Sequence, residues 1–256
     1  MPNPGPSAPD LPAPAFYARR SGPLADWWTL LHPPYTLWHI SYAALGAALA
    51  PRVDWAILGA TVLAFALAVG VAAHALDEWN GRPLRTGISA RALWIAAIVS
   101  LAGACALGVT AVNHAGAILI PFILAGVVLV LGYNLELFHG ALHTDLGFAL
   151  AWGAFPVAVG YVAQAPPLHS PSIVGTVLAV ISATALSAAQ RRLSTPARLL
   201  RRRATGVDGA IRFADGTSIP VDRSTLLAPL DGALRLLSYA VPALAAAALI
   251  ARVSRW

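Results

Sequence analysis

The sequence predicts an all-α bundle of about seven transmembrane helices with one small cytoplasmic β-hairpin inserted near its end. Three observations carry that expectation. Of 256 residues, 58% are hydrophobic and only 11% charged, whereas soluble domains carry about a quarter charged residues. Seven apolar stretches each approach the roughly twenty residues that a helix needs to cross a bilayer core. Finally, VDGAIRFADGTSIPVD holds two short segments around Asp215–Gly216, the dipeptide that favours a tight hairpin turn.

The chain opens with residues 1–26, rich in proline and small residues, a composition that cannot bury enough apolar surface to order itself. They are expected to form a disordered tail. Residues 27–190 form the main membrane bundle of about six helices, with spans near 35–51, 54–76, 91–112, 115–135, 145–164 and 171–190. Residues 191–227 are an arginine-rich connection carrying the hairpin, and 228–256 hold the last span, near 229–250, and a short tail. Pro33, Pro34 and Pro229 suit first helical turns, where a missing N–H costs no hydrogen bond. Pro121 and Pro156 fall inside spans and predict kinks.

All 17 basic residues are arginine, and the formal net charge is +6. Most flank apolar spans, where they set topology and meet lipid headgroups; with no soluble domain to carry it, nucleic-acid binding is not expected. Cys105 is the one cysteine, so disulfides play no part in the fold. The tail holds Arg19 and Arg20, the second connection Arg82, Arg85 and Arg91, and the sixth eight arginines from Arg191 to Arg223, while the third to fifth hold none. Positive loops stay in the cytoplasm. The N-terminus is therefore expected inside and the C-terminus outside a bacterial or archaeal plasma membrane.

That topology gathers ionisable residues on one side of the bundle. The first helix brings His32 near its start and His39 two turns later on the same face. The second brings His74, Asp77 and Glu78, and the fourth connection adds Glu136, His139, His143 and Asp145. An acid at a helix end is often only solvated, and a single interfacial histidine often only hydrogen-bonds. As a set, though, such groups cost a few kcal/mol at membrane depth unless paired, coordinated or hydrated, which points to a shared site. Histidine with carboxylate suits Zn or Fe, so all nine are candidate metal ligands. His114 and His169 fall on the other side.

The stretch AHALDEWNGRPLRTGIS, residues 73–89, resembles the first signature of the UbiA superfamily of intramembrane prenyltransferases, an NDxxD motif followed by a basic-proline element. Asp77 falls on the second Asp, Ala73 and His74 replace the Asn and first Asp, and Arg82 to Ser89 match the basic-proline element. Tyr133–Asn134 and LGFALAWGAFPVAVGYVAQ resemble the family's Tyr-containing connection and Gly-rich fifth helix. HPPYTLWHISYAALGAALA resembles its first helix, so the likeness covers about residues 32–190.

The resemblance implies a cavity open to the cytoplasm and to lipid, in which Mg held by two Asp-rich motifs binds an isoprenyl diphosphate. It assigns His74, Asp77 and Glu78 to catalysis and metal, Arg82 to the diphosphate, and Tyr133 and Asn134 to substrate orientation. The chain departs from the pattern where the second motif is expected: SAAQRRLSTPAR has no acid, and Arg191, Arg192 and Arg198 offer electrostatic hold on the diphosphate instead. The expected function is prenyl transfer to or from a membrane lipid or isoprenoid at an altered metal site. Two other readings stay open: a transition-metal membrane enzyme of other chemistry, and a non-catalytic lipid-binding or complex-forming subunit.

Overall fold

A computed structural model describes residues 13–19, 22–167 and 170–253. Within them a short helix α1 (Pro23–Leu30) leads into α2 (Pro33–Leu49). Then follow α3 (Trp55–Trp79), α4 (Ala90–Ala115), α5 (Leu119–Asn134), α6 (Asp145–Ala163), α7 (Ser172–Arg202) and α8 (Arg223–Val253). Each of the seven expected stretches falls on one of the helices from α2 to α8. Five of these, α3, α4, α6, α7 and α8, are long and apolar enough to cross a membrane. The other two, α2 with 17 residues and α5 with 16, are shorter.

Local chemistry starts the helices where polar residues interrupt the apolar runs. Asp54 accepts from the Ala56 and Ile57 amides at 2.9 and 3.1 Å, and Thr144 from the Gly147 amide at 2.9 Å. Ser89 accepts from Ala92 N at 3.2 Å, and Asp222 from Thr225 N at 2.7 Å. Each satisfies amides that a helix start leaves without partners. The hairpin forms as expected: Ala210–Arg212 (β1) pairs antiparallel with Ser218–Pro220 (β2), and Gly216 takes the left-handed backbone, φ 86°, that the turn requires.

Three boundaries differ from expectation. The Cα path of α7 stays helical through Pro196 to Arg202, so residues 191–202 belong to the bundle and not to a connection. Its polar face is not left in bulk solvent, since Gln190, Ser194 and Ala197 are buried on it. Capping by Asp222 starts α8 at Arg223, which puts Pro229 inside the helix instead of in its first turn. The expected tail also contains structure, because α1 begins at Pro23 and residues 13–17 pack against the bundle. Residues 1–12, 20 and 21 of that tail, and His169, lie outside the described residues.

At the centre, α2 packs between α6 and α8, and backbone touches backbone there. A Cβ on Gly46 would collide with the Val157 carbonyl, and one on Gly160 with the Ala43 carbonyl; small residues permit such close crossings in membrane bundles. Trp38, Tyr42, Val157, Ala183 and Val241 fill the space beside them. A second cluster joins α3, α4, α5 and α6 through Leu76, Ala97, Val130 and Trp152.

Two helices carry π-helical segments, Ala66–Ala73 in α3 and Leu150–Ala154 in α6. Such insertions shift the register of everything after them. The second lies just ahead of Pro156, where a kink was expected. Pro156 has no N–H for the carbonyl four residues back. That carbonyl belongs to Trp152, and it accepts instead from His39 Nδ1 at 2.8 Å.

Candidate functional site

A polar cavity of about 380 Å³ opens at one end of the bundle, lined by the starts of α2, α6 and α8 and the ends of α3, α5 and α7, with residues 14–17 across it. This is the end at which the sequence gathers its ionisable groups. His32, His39, His74, Asp77, Glu136 and His143 all line it, as do Tyr133, Asn134, Arg191 and Arg198.

Three histidines have their protons placed by backbone. Nδ1 of His39 faces the Trp152 carbonyl at 2.8 Å, that of His74 the Gly70 carbonyl at 3.1 Å, and that of His143 the Tyr133 carbonyl at 3.0 Å. A carbonyl only accepts, so Nδ1 donates in each case and, in the neutral ring, Nε2 keeps its lone pair. The His74 acceptor lies in the π segment of α3, and the His39 acceptor in that of α6. His32 stacks on His74 with ring centroids 4.2 Å apart, and its Nδ1 lies 2.6 Å from the Tyr17 hydroxyl. Burial, and then the neighbouring His74, hold His32 well below the usual histidine range; burial, and then Tyr35, push the Tyr17 phenol well up. Both are neutral at pH 7.

The last three turns of α7 supply the positive wall. Gln190, Arg191, Ser194, Arg198, Arg201 and Arg202 line the cavity, at the three- and four-residue spacing of one helix face. Arg191 pairs with Asp145 at 3.0 Å, and Arg201 with Asp231. Arg198 donates to Thr195 Oγ1 at 3.2 Å and Arg202 to the Pro14 carbonyl at 3.4 Å. Neither forms an ion pair with a carboxylate among the described residues. Two half-buried guanidinium groups thus stand one turn apart, and like charges so placed repel. Across from them Asp77 lies within electrostatic reach of Arg198, Arg202 and His143. The Tyr133 hydroxyl and Gln190 Oε1 are buried without a hydrogen-bond partner among the described residues, and the Tyr133 ring stacks on His143 at 4.4 Å.

Five candidates lie elsewhere. Glu78 is 0% exposed and does not line the cavity: Oε2 accepts from Leu84 N, and Oε1 from the amide and hydroxyl of Thr86, all at 2.8 Å. Arg82 turns back on its own loop, donating through Nη1 to the Ile88 carbonyl at 2.5 Å. It braces that loop and does not reach a ligand. His139 is exposed on a left-handed turn, φ 57°. Arg192 and Asp145 are on the outer face, Asp145 committed to Arg191. Asn134 lines the cavity, but its Nδ2 donates to the Val130 carbonyl of its own helix at 2.8 Å.

Among the described residues no group of three or more His, Cys, Asp or Glu side chains is placed to hold a metal. The donors explain why. Mg prefers several oxygen ligands, and of the first motif only Asp77 offers a carboxylate to the cavity, facing guanidinium groups where a second acidic cluster would stand. This donor set does not fit a metal-diphosphate site.

Several cavity residues were not anticipated: Phe16, Tyr17, Tyr35, Gln190, Arg201, Arg202 and Asp231. For α7 a signal existed, since Gln190, Arg191, Ser194, Arg198, Arg201 and Arg202 keep helical spacing past the end of the apolar run. Asp231 pairs with Arg201, and Arg235, one turn further along α8, stands over the Phe16 ring, 5.2 Å from its centroid. No protein-family model, curated protein or solved structure matches the chain.

Proposed function

We propose that the chain is an integral membrane protein whose cavity binds an isoprenoid or related lipid by its phosphate or diphosphate head, and that it acts as a UbiA-like prenyltransferase. One observation carries the reading: Arg198 and Arg202 face the cavity side by side with no carboxylate partner among the described residues. A partly buried charge pair of one sign is costly until an anion joins it. Phosphate oxygens match the guanidinium fork and give charge-assisted hydrogen bonds, about twice as strong as neutral ones. The apolar helices around the polar cavity suit the lipid tail.

In this reading the arginines replace the second Asp-rich motif and its metal. As the carbon–oxygen bond to diphosphate breaks, they stabilise the charge that gathers on the leaving group. An acceptor hydroxyl forms the new bond to that carbon and gives its proton to His74 Nε2, whose lone pair is free because Nδ1 is committed to Gly70. Purified protein in lipid nanodiscs is expected to bind farnesyl diphosphate saturably in excess EDTA. Absence of binding, or binding only when Mg is restored, would sink the reading.

The same proposal places all of α2 to α8 across a bacterial or archaeal plasma membrane, with the cavity mouth and N-terminus cytoplasmic and the C-terminus outside. The arginine asymmetry of the connections supports that orientation. Reporter fusions are expected to find the two termini on opposite sides; a same-side result would rule out seven spans.

A further inference from the structure

The two outermost arginines of the cavity wall are occupied by the chain's own backbone. Arg201 Nη1 donates to the Ala13 carbonyl at 3.2 Å, and Arg202 Nε to the Pro14 carbonyl at 3.4 Å. The segment supplying those oxygens is held mainly by its aromatic end. Phe16 meets Tyr35 edge-on at 6.0 Å and lies beneath the Arg235 guanidinium, while the Tyr17 hydroxyl bonds His32. Pro14 to Tyr17 line the cavity themselves.

A neutral carbonyl is a poor match for these donors. A guanidinium offers five N–H groups, and the carbonyls of Ala13 and Pro14 accept one each without bringing any negative charge; Asp231 offsets Arg201, but no carboxylate among the described residues pairs with Arg202. Resting on the phosphate-binding reading above, we propose that Arg201 and Arg202 form an outer subsite for a phosphate oxyanion, and that residues 13–17 are a displaceable cover whose two carbonyl oxygens stand where phosphate oxygens bind. The ligand enters by exchange: the carbonyls leave, the anion takes the donors, and Phe16 and Tyr17 give up their contacts with Tyr35 and His32. Arg201 keeps Asp231 throughout, so Arg202 contributes the uncompensated charge.

Such a cover competes with the ligand. Apparent affinity is the intrinsic affinity multiplied by the fraction of molecules in which the cover is open. Weakening the cover without touching an arginine therefore tightens binding, whereas a mere wall of the cavity would loosen it when cut back. The probe is inorganic diphosphate, titrated calorimetrically into the full chain in phosphatidylcholine nanodiscs. Phe16→Ala is expected to tighten diphosphate binding about tenfold, as if one molecule in ten is open at rest. Tyr17→Phe, which deletes a single hydroxyl and so spares the packing, is expected to move affinity the same way by a smaller factor. Repeating the titration with phosphatidic acid in the nanodiscs separates the sources: weaker diphosphate binding there identifies a lipid headgroup as occupant, and unchanged binding a soluble phosphate. Affinity unchanged or reduced in both cover variants would overturn the cover while leaving the anion site intact. Failure of every chain, wild type included, to bind diphosphate would overturn both the cover and the reading it rests on.

Discussion

Arg198→Gln is expected to weaken binding of an isoprenyl diphosphate by about 10- to 100-fold, the range set by losing about 1.5–3 kcal/mol of hydrogen bonding to a charged group. The side chain keeps its place and much of its length but loses its charge and its fork. Arg198→Lys, which retains the charge as a point, is expected to lose less, because a compact ammonium cannot grip two phosphate oxygens in one plane. Stability should not fall with affinity. Arg198 has no ion-pair partner to abandon among the described residues, and removing one member of a repelling pair with Arg202 relieves strain in the empty protein. Titration of farnesyl diphosphate beside a melting curve checks both halves. Unchanged affinity in Arg198→Gln would take the headgroup site away from α7, and a large loss of stability would mean that the guanidinium is a structural strut.

How far the sequence foretold this cavity is clearest at its edges. His32, His39, His74 and Asp77 could be brought together on paper because each sits near the end of a long apolar run, and the arginine asymmetry says which ends share a side. The division between Asp77 and Glu78 could not be read. Both lie within about 60° of His74 around an ideal helix, and the π segment at Ala66–Ala73 resets the face inside a run that is apolar on every side. The extension of α7 was hidden for a related reason: hydropathy ends at 190, but the helix continues because its polar face turns onto a cavity that only the tertiary structure creates. The pairing of Arg201 with Asp231 spans 30 residues, beyond any local pattern. Residues 13–17 have no periodicity at all, and their order comes from Tyr35, Arg201 and Arg202 on other elements.

Glu78→Ala is expected to destabilise the protein by about 3–5 kcal/mol, since an unsatisfied buried polar group costs about 1–3 kcal/mol and three donors lose their acceptor at once. Those donors are the amides of Leu84 and Thr86 and the Thr86 hydroxyl, each 2.8 Å from the carboxylate, in a place where Glu78 itself is 0% exposed and water cannot substitute. Because the bonds reach six and eight residues ahead, they fold the RPLRTG segment back under the end of α3. Arg82 closes the same turn through the Ile88 carbonyl, so the segment that resembles a ligand-binding signature is here a self-bonded brace. Glu78→Gln is the sharper test, because it preserves volume and one acceptor but sets an NH₂ donor against a backbone donor; it should fall between wild type and Glu78→Ala. In thermal unfolding the Ala variant is expected to melt about 10 °C lower, with Asp77→Ala close to wild type, since the Asp77 carboxylate faces the cavity and holds no loop. A Glu78→Ala protein that melts normally yet no longer binds diphosphate would return Glu78 to the site, because only a group touching the ligand can remove binding without loosening the fold.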